Sequence, residues 1–321
     1  LSILAEIVET LNDAEAIGLA SHIDPDGDSV GSLLALSMAL SRQGKRVYAA
    51  IPNPGSYPPQ YRFLPGQNLL IDPQSYQQEV EVFVALDCSN PERLGKLRKT
   101  ADMSHITINI DHHEDNLFYA SLNFVEERAS STAQLVFELQ EYSSWGLTAE
   151  EATCLYTGLV TDTGRFQHLN TTSGTFAIAS RLLDAGADIF RVVKEVYESR
   201  SLSYTHLLGK VLQRAEILEK HGFIFSYVTL EDVKDTGAVL AEAEDLIDYL
   251  RIVHGTRMAA LFKELEDGKV RVSLRSRDGF EVGPIARSMG GGGHAMAAGY
   301  TSDLDIKGTI DTLLGVLRDD R

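Results

Sequence analysis

The chain has 321 residues, 44% apolar and 23% charged, with 46 acidic against 29 basic side chains and a formal charge of −17. That length supports a substantial core divided between two domains. The charge argues against holding long duplex nucleic acid along the surface, because such binding rests on neutralising many phosphates. No apolar run approaches the roughly 20 residues of a membrane-spanning helix, so no membrane partner is expected. The two cysteines, Cys88 and Cys154, lie far apart without ligand-type spacing and read as reduced thiols of a cytoplasmic protein. The opening stretch LSILAEIVETLNDAEAIGLA lacks the basic start and small-residue cleavage site of a signal peptide. Leu1 is not a natural start, and whether residues precede it is left open.

Taken in chain order, EAIGLAS predicts a strand, followed by a helix over 29–43 that Gly44 closes. KRVYAAI is the next strand and leads into the proline-rich loop PNPGSYPPQ. EVEVFVAL and HITINI are further short runs rich in β-branched residues. Strands alternating with helices predict an α/β fold whose parallel sheet carries helices on both faces. STAQLVFELQEY opens with Ser131 and Thr132 as caps, and TAEEATCLYTGLVTDTG carries Ala152, Leu155, Tyr156 and Leu159 at helical spacing. The expected division is a domain over 1–186, a charged helical linker over 187–220, and a smaller mixed α/β domain over 221–321. The last contains strands such as KVRVSLRSR and helices such as AEDLIDYLRIV.

Groups of metal-type ligands follow the predicted strands. EAIGLAS runs into His22, Asp26 and Asp28, EVFVAL into Asp87, and HITINI into Asp111, His112 and His113. In a parallel sheet these positions gather at the carboxyl edge, where open α/β sheets form their ligand sites. Asp162, in VTDTGRF, follows a helix and can reach the same place. Each piece alone has a bland reading: DPDGDS is a turn sequence, DHH a helix cap with two surface histidines, Asp87 an N-cap and Asp162 a helix end. Together they bring more carboxylates to one crevice than can converge without cations. Two divalent ions sharing one bridging carboxylate would neutralise the site and clamp an in-line phosphoryl displacement. Mixed imidazole and carboxylate ligands suit Mn²⁺ or another first-row ion better than Ca²⁺, with Mg²⁺ as the alternative.

In that order and at those separations, HIDPDGD, ALDCS, DHH and TDTG resemble the four motifs of the DHH phosphoesterases. VSLRSR followed by GGGGHAMAAG resembles the DHHA1 nucleic-acid-binding domain of the same proteins, so the likeness covers essentially the whole chain. The resemblance implies one metal held by His22, Asp26 and Asp87, and a second held by Asp28, Asp87, His112 and Asp162, with Asp87 as the bridge. It leaves Asp24 outside the ligand set. Asp111 would support the site by accepting a hydrogen bond, His113 would face the scissile phosphate, and Asn116 would help hold substrate.

In the second domain, strand alternation puts Val270, Val272 and Leu274 on one face and Arg271, Ser273, Arg275 and Arg277 on the other. Three arginines on one face form a local positive patch in an acidic chain. The resemblance points to Arg275, Ser276, Gly291, Gly292, Gly293 and His294 as the grip on a terminal phosphate, with glycines exposing backbone N–H groups to the anion. A second domain closing over the crevice would then set substrate length.

The branch resembled degrades short oligoribonucleotides, linear dinucleotides among them, to 5′-mononucleotides. Some members remove the 3′-phosphate of 3′-phosphoadenosine 5′-phosphate. Expected partners are therefore short single-stranded RNA or small nucleotides, and a homodimer is the assembly entertained. Several rivals share the first-domain motifs. A manganese pyrophosphatase lacks a GGGH loop, a long-strand exonuclease is larger and more basic, and a cyclic-dinucleotide phosphodiesterase carries upstream membrane and sensor segments. A nucleotide-binding regulator without turnover predicts gaps among the ligands, and none is found.

Overall fold

Ala16–Ala20 (β1) and Val82–Leu86 (β3) are buried at every position, which is how strands read when both sheet faces are covered. In the computed structural model, which describes residues 2–76, 80–277 and 279–319, they pair in parallel at the centre of a five-stranded sheet. Arg46–Ala50 (β2), Ile106–Asp111 (β4) and Leu122–Val125 (β5) complete it in the order β2-β1-β3-β4-β5, all parallel. The order reverses between β1 and β3, and outside the carboxyl ends of such a pair an open sheet leaves a crevice.

One face of this sheet packs Ile17, Leu19, Val84 and Ile110 against helices α1 (Ile3–Asp13), α2 (Gly27–Arg42), α4 (Thr132–Ser143) and α5 (Ala149–Asp162). The other face packs Phe83 and Ala85 under α3 (Arg98–Met103) and short 3-10 turns. Helix α2 begins two residues earlier than the apolar spacing predicts. Asp26 caps it, accepting from Ser29 N at 3.0 Å while Ser29 Oγ accepts from Asp26 N, and this reciprocal box draws Asp28 into the first turn. α2 and α5 run almost in contact. A Cβ on Gly31 would stand 2.3 Å from Cys154 O, and one on Gly158 would stand 2.6 Å from both Ala133 Cβ and Asp28 Oδ1. Only glycine permits that approach, and it sets the last residue of α5, Asp162, beside the first turn of α2. Helices α6 (Ser173–Asp184) and α7 (Ile189–Val193) follow, the latter continuing into a single wide turn over 194–198.

The chain divides into two units between Ser199 and Arg200. The second opens with α8 (Leu202–Gln213), whose Tyr204, Leu207 and Val211 are buried along one stripe. Its six-stranded sheet has the order β10-β11-β9-β8-β7-β6. The strands are Glu216–Leu218 (β6), Phe223–Val228 (β7), Met258–Glu264 (β8), Val270–Ser276 (β9), Gly292–Gly293 (β10) and Ala297–Ser302 (β11). Only β7 and β8 pair in parallel, so the sheet is mixed. Phe262, Val272 and Leu274 pack with α11 (Gly283–Ser288) and α12 (Ile306–Asp319) on one face. Ala259 and Leu261 pack with α8, α9 (Leu230–Thr236) and α10 (Leu246–Arg251) on the other.

Candidate metal centre

The residues immediately past β1 and β3 sit on either side of the switch in strand order. Past β1, His22 is buried, and its Nδ1 donates to Ile23 O at 2.5 Å. That bond fixes which nitrogen faces the carboxylate: Nε2 stands 3.4 Å from Asp87 Oδ2, donating to it when protonated and open to a cation when not. Past β3, Asp87 adopts the left-handed backbone, φ 57°, an uncommon conformation for a residue with a Cβ. His22, Asp26 and Asp87 each offer one ligand atom, all within 4.8 Å of one another.

A second group, Asp28, Asp87 and His112, meets the same limit, so Asp87 belongs to both. His112 follows β4, and its Nδ1 lies 3.3 Å from Ala129 O. Its Nε2 stands 3.8 Å from Asp28 Oδ2, 3.7 Å from Asp87 Oδ1 and 3.6 Å from Asp162 Oδ2. These separations are too long for hydrogen bonds. Donor atoms about 2.1 Å from a common ion stand roughly 3.0–3.5 Å from one another, so the observed spacing is a few tenths of an ångström wider than an arrangement around a cation.

Burial pushes the carboxyls of Asp28 and Asp162 well above the usual range, and neighbouring carboxylates, Asp87 for both, push them further. Burial would raise Asp87 too. The hydrogen bond to His22 and the imidazoles of His113, His22 and His112 outweigh it and hold Asp87 well below that range. Without positive charge such a nest cannot stay ionised. The donor set, carboxylate oxygens with imidazole lone pairs, therefore fits divalent cations.

His113 is differently placed. Its Nδ1 lies 2.7 Å from Asp111 Oδ1, and the other oxygen of Asp111 accepts from Asn116 Nδ2 at 2.5 Å. Burial would lower its imidazole, but the Asp111 hydrogen bond and the Asp87 and Asp111 charges raise it to about 10. Asn116 is buried with its amide engaged: Nδ2 also donates to Asn109 Oδ1 at 2.8 Å, and Oδ1 accepts from Phe118 N at 2.7 Å. Its amide is thus turned to Asn109 and Asp111.

In the second unit, Arg275 on β9 lies between Ala259 of β8 and Ala297 of β11. Its Nη1 donates to Leu274 O at 3.0 Å, and Ser276, next to it, is buried. Arg277 departs from the expected patch: it lies past the strand end, donating from Nε to Thr256 O and from Nη2 to Val253 O. The patch instead includes a lysine that the sequence reading passed over. Lys263, opposite Arg271, is buried with Nζ 2.5 Å from Glu244 Oε1. The glycine run has a packing reason. Cβ atoms on Gly291 and Gly293 would stand 2.1 and 2.6 Å from Gly299 O and Ala297 O of β11, and Gly293 has φ +123°. Gly290 and Gly292 face open space, and half-buried His294 follows.

The family model described as the DHH family, N-terminal domain matches residues 16–159, and the DHHA1 domain matches residues 222–319. The bifunctional oligoribonuclease and PAP phosphatase NrnA of Thermus thermophilus is 33% identical over 324 residues, covering 100% of this chain and 94% of the relative. The chain belongs to the DHH family. A solved structure of an exopolyphosphatase-related protein from Bacteroides fragilis superposes with a TM-score of 0.93 at 25% identity, covering 99% of this chain and 96% of that one. RecJ of Thermus thermophilus, solved with Mn²⁺, shares the fold at a TM-score of 0.55 and 17% identity, over 99% of this chain and 54% of that one. Among the described residues of this DHH protein, no helix is long and apolar enough to cross a membrane.

Several side chains around the DHH motifs carry no signal of their own in the sequence. Thr132 Oγ1 donates to Asp87 Oδ1 at 3.0 Å, and the amides of Thr132 and Ala133, at the start of α4, donate to Asp28 at 2.6 and 2.8 Å. Asn170 Nδ2 reaches Asp162 Oδ2 at 3.4 Å and Ser130 O at 3.0 Å. The capping pattern at Ser131 was the only available hint, and it marks a helix start without saying what that start faces.

Proposed function

We propose that this chain is a metal-dependent phosphohydrolase that releases 5′-mononucleotides from oligoribonucleotides a few residues long and converts 3′-phosphoadenosine 5′-phosphate to AMP. Asp87 carries the reading: one carboxylate shared by two groups of donor atoms is what a bridged pair of ions requires. His22, Asp26 and Asp87 would hold one ion, and Asp28, Asp87, His112 and Asp162 the other, with manganese favoured by the imidazole share of the donors. When bound, such a pair supplies an activated water and neutralises charge for in-line displacement at phosphorus. The chain's own groups do the positioning. His22 and His112 are held in a ligand tautomer by carbonyl oxygens, Thr132 orients Asp87, and the α4 amides orient Asp28. Asp111 accepts a hydrogen bond from Nδ1–H of His113, so that Nε2–H is aimed to donate to a phosphoryl oxygen. Arg275, Ser276 and the segment Gly291–His294 bind a second phosphate of the substrate and select short ligands. Support comes from the matched relative named for both activities over the full length of this chain.

The test is a turnover series. Purified protein with Mn²⁺ is offered labelled RNAs from dinucleotide to decamer, the bisphosphorylated adenosine nucleotide, pyrophosphate and a cyclic dinucleotide. Mononucleotide release that declines steeply with RNA length, with AMP from the bisphosphate, is expected. Preferred hydrolysis of pyrophosphate or of the cyclic ligand would overturn the substrate assignment, and turnover undiminished in EDTA would overturn the metal.

A further inference from the structure

The second unit holds a cavity of about 540 Å³ whose lining includes Lys220, His221, His254, Arg257 and Arg277 and no carboxylate among the described residues. In a chain with 46 acidic and 29 basic residues, five cationic or protonatable side chains around one concavity run against the overall balance. Lys220, His221, His254 and Arg257 have no ion-pair partner among the described residues. Carbonyl oxygens hold the guanidiniums in place: Arg277 Nε donates to Thr256 O at 2.7 Å and Nη2 to Val253 O at 2.9 Å, while Arg257 Nε donates to His221 O at 3.2 Å. Arg257 also lies over the Phe280 ring at 4.5 Å. These contacts orient both guanidiniums, and at Arg257 they do so without cancelling the charge, so that part of the basic wall is fixed before any anion arrives.

We propose that this cavity is a second anion-binding site, distinct from Arg275, that takes a run of two or more linked phosphates. Its volume exceeds what one phosphate fills, and no phenylalanine, tyrosine or tryptophan is among its described lining residues to stack a base. Recognition therefore falls on phosphate charge. Its place supports a path for a chain of phosphates: Arg277 N donates to Arg257 O at 3.0 Å, one step beyond the Met258–Ser276 pair that ends β9. The shared chemistry is an oligophosphate, supplied by the backbone of a short RNA or by a free inorganic oligophosphate.

The experiment measures binding in EDTA, without turnover, so it stands whatever the outcome of the hydrolysis series. Inorganic tripolyphosphate is titrated calorimetrically into the full chain and its variants at low salt, and a labelled ribopentanucleotide is followed by anisotropy. Lys220→Gln with His254→Gln, both exposed positions, should weaken tripolyphosphate binding at least about tenfold and flatten its salt dependence. Arg257→Gln should do the same, whereas Arg275→Gln should weaken only the component of binding that the Arg275 grip holds and leave the pocket component in place. If the pocket variants also lose the pentanucleotide, the RNA backbone is the source; if they keep it, a free oligophosphate is. Wild-type affinity in the pocket variants, loss of binding in Arg275→Gln alone, or no tripolyphosphate binding by the wild type would each overturn the proposal.

Discussion

The backbone amide of Thr132 donates to Asp28 Oδ2 at 2.6 Å, joining residues 104 positions apart. The same residue's hydroxyl reaches Asp87 Oδ1 at 3.0 Å, so the first turn of α4 orients carboxylates of both ligand groups. Thr132→Val keeps the amide and the shape and removes only the hydroxyl. Loss of such an outer partner lowers metal affinity by about 10- to 100-fold. Titrating activity and melting temperature with Mn²⁺ should show that shift, with turnover largely restored at saturating metal. An unchanged metal midpoint would remove Thr132 from the site.

Asp111 bridges His113 and Asn116 and is fully buried. Asp111→Asn should lower turnover by about tenfold or more through His113, while the Mn²⁺ midpoint stays near wild type. A double-mutant cycle separates this from general damage. If Asp111 acts only by orienting His113, adding Asp111→Asn to His113→Ala should cause little further loss. Full additivity would mean that Asp111 does something else.

Why one part of the site was readable in the sequence and another was not follows from the kind of group involved. The central parallel strands β1 and β3 are unbroken apolar runs, so the ligand-type residues close behind them, His22 and Asp87, announce themselves, and DHH does so at the end of β4. The strand order then carries these residues to one crevice. Backbone donors have no residue signature, so nothing in STAQLV reveals that its amides face Asp28. Asn116 could be placed near the site but not oriented, because its partners Asn109 and Asp111 lie on a strand whose side-chain directions depend on register. Lys263 hid inside the apolar run MAALFKE, and only the pairing of β8 with β9 sets it beside Arg271. The glycines of GGGGH carried two meanings at once. Close packing against β11 accounts for Gly291 and Gly293, and open space for an anion contact remains at Gly290 and Gly292.

Helix contact is the lever for a stability prediction. A methyl group on Gly158 meets Ala133 and Asp28 at 2.6 Å, and neither can retreat, since both lie in packed helices. Gly158→Ala should destabilise the protein by about 1–3 kcal/mol and weaken metal binding with it. Gly209, inside α8 with nothing within 4 Å of its virtual Cβ, is the contrasting case. There the same substitution should stabilise by about 0.4–1 kcal/mol. Urea melts of the two variants test both signs, and equal effects would discredit the close approach of α2 and α5.

Stripping the metal should loosen the same region. With buried Asp28 and Asp87 and the partly buried Asp162 crowded around His112, a cation that binds only the folded state stabilises it by mass action, about 2.7 kcal/mol at a hundredfold excess over Kd. EDTA should lower the melting temperature, and Mn²⁺ added back should restore it in wild type but not in Asp87→Asn. Equal melting temperatures with and without metal would contradict the nest.

The acid limb of stability should report on Asp232 in the second unit. Arg214 grips this carboxylate with both terminal nitrogens, Nη2 to Oδ1 at 2.8 Å, and Thr229 N donates to Oδ2 at 3.0 Å. Burial pushes the group up, but Arg214 and Thr229 prevail and hold it well below the usual carboxylate range. A folded-state value below the unfolded one, about 3.9, means the stabilisation is complete above that value and disappears as pH falls through the folded one. Asp232→Asn should therefore cost about 2 kcal/mol at pH 7. Its deficit relative to wild type should begin to shrink below about pH 5 and keep narrowing at lower pH. Urea melts of the two proteins at neutral, mildly acidic and strongly acidic pH give the difference directly. A deficit constant over that range would show that the ion pair is not what the aspartate contributes.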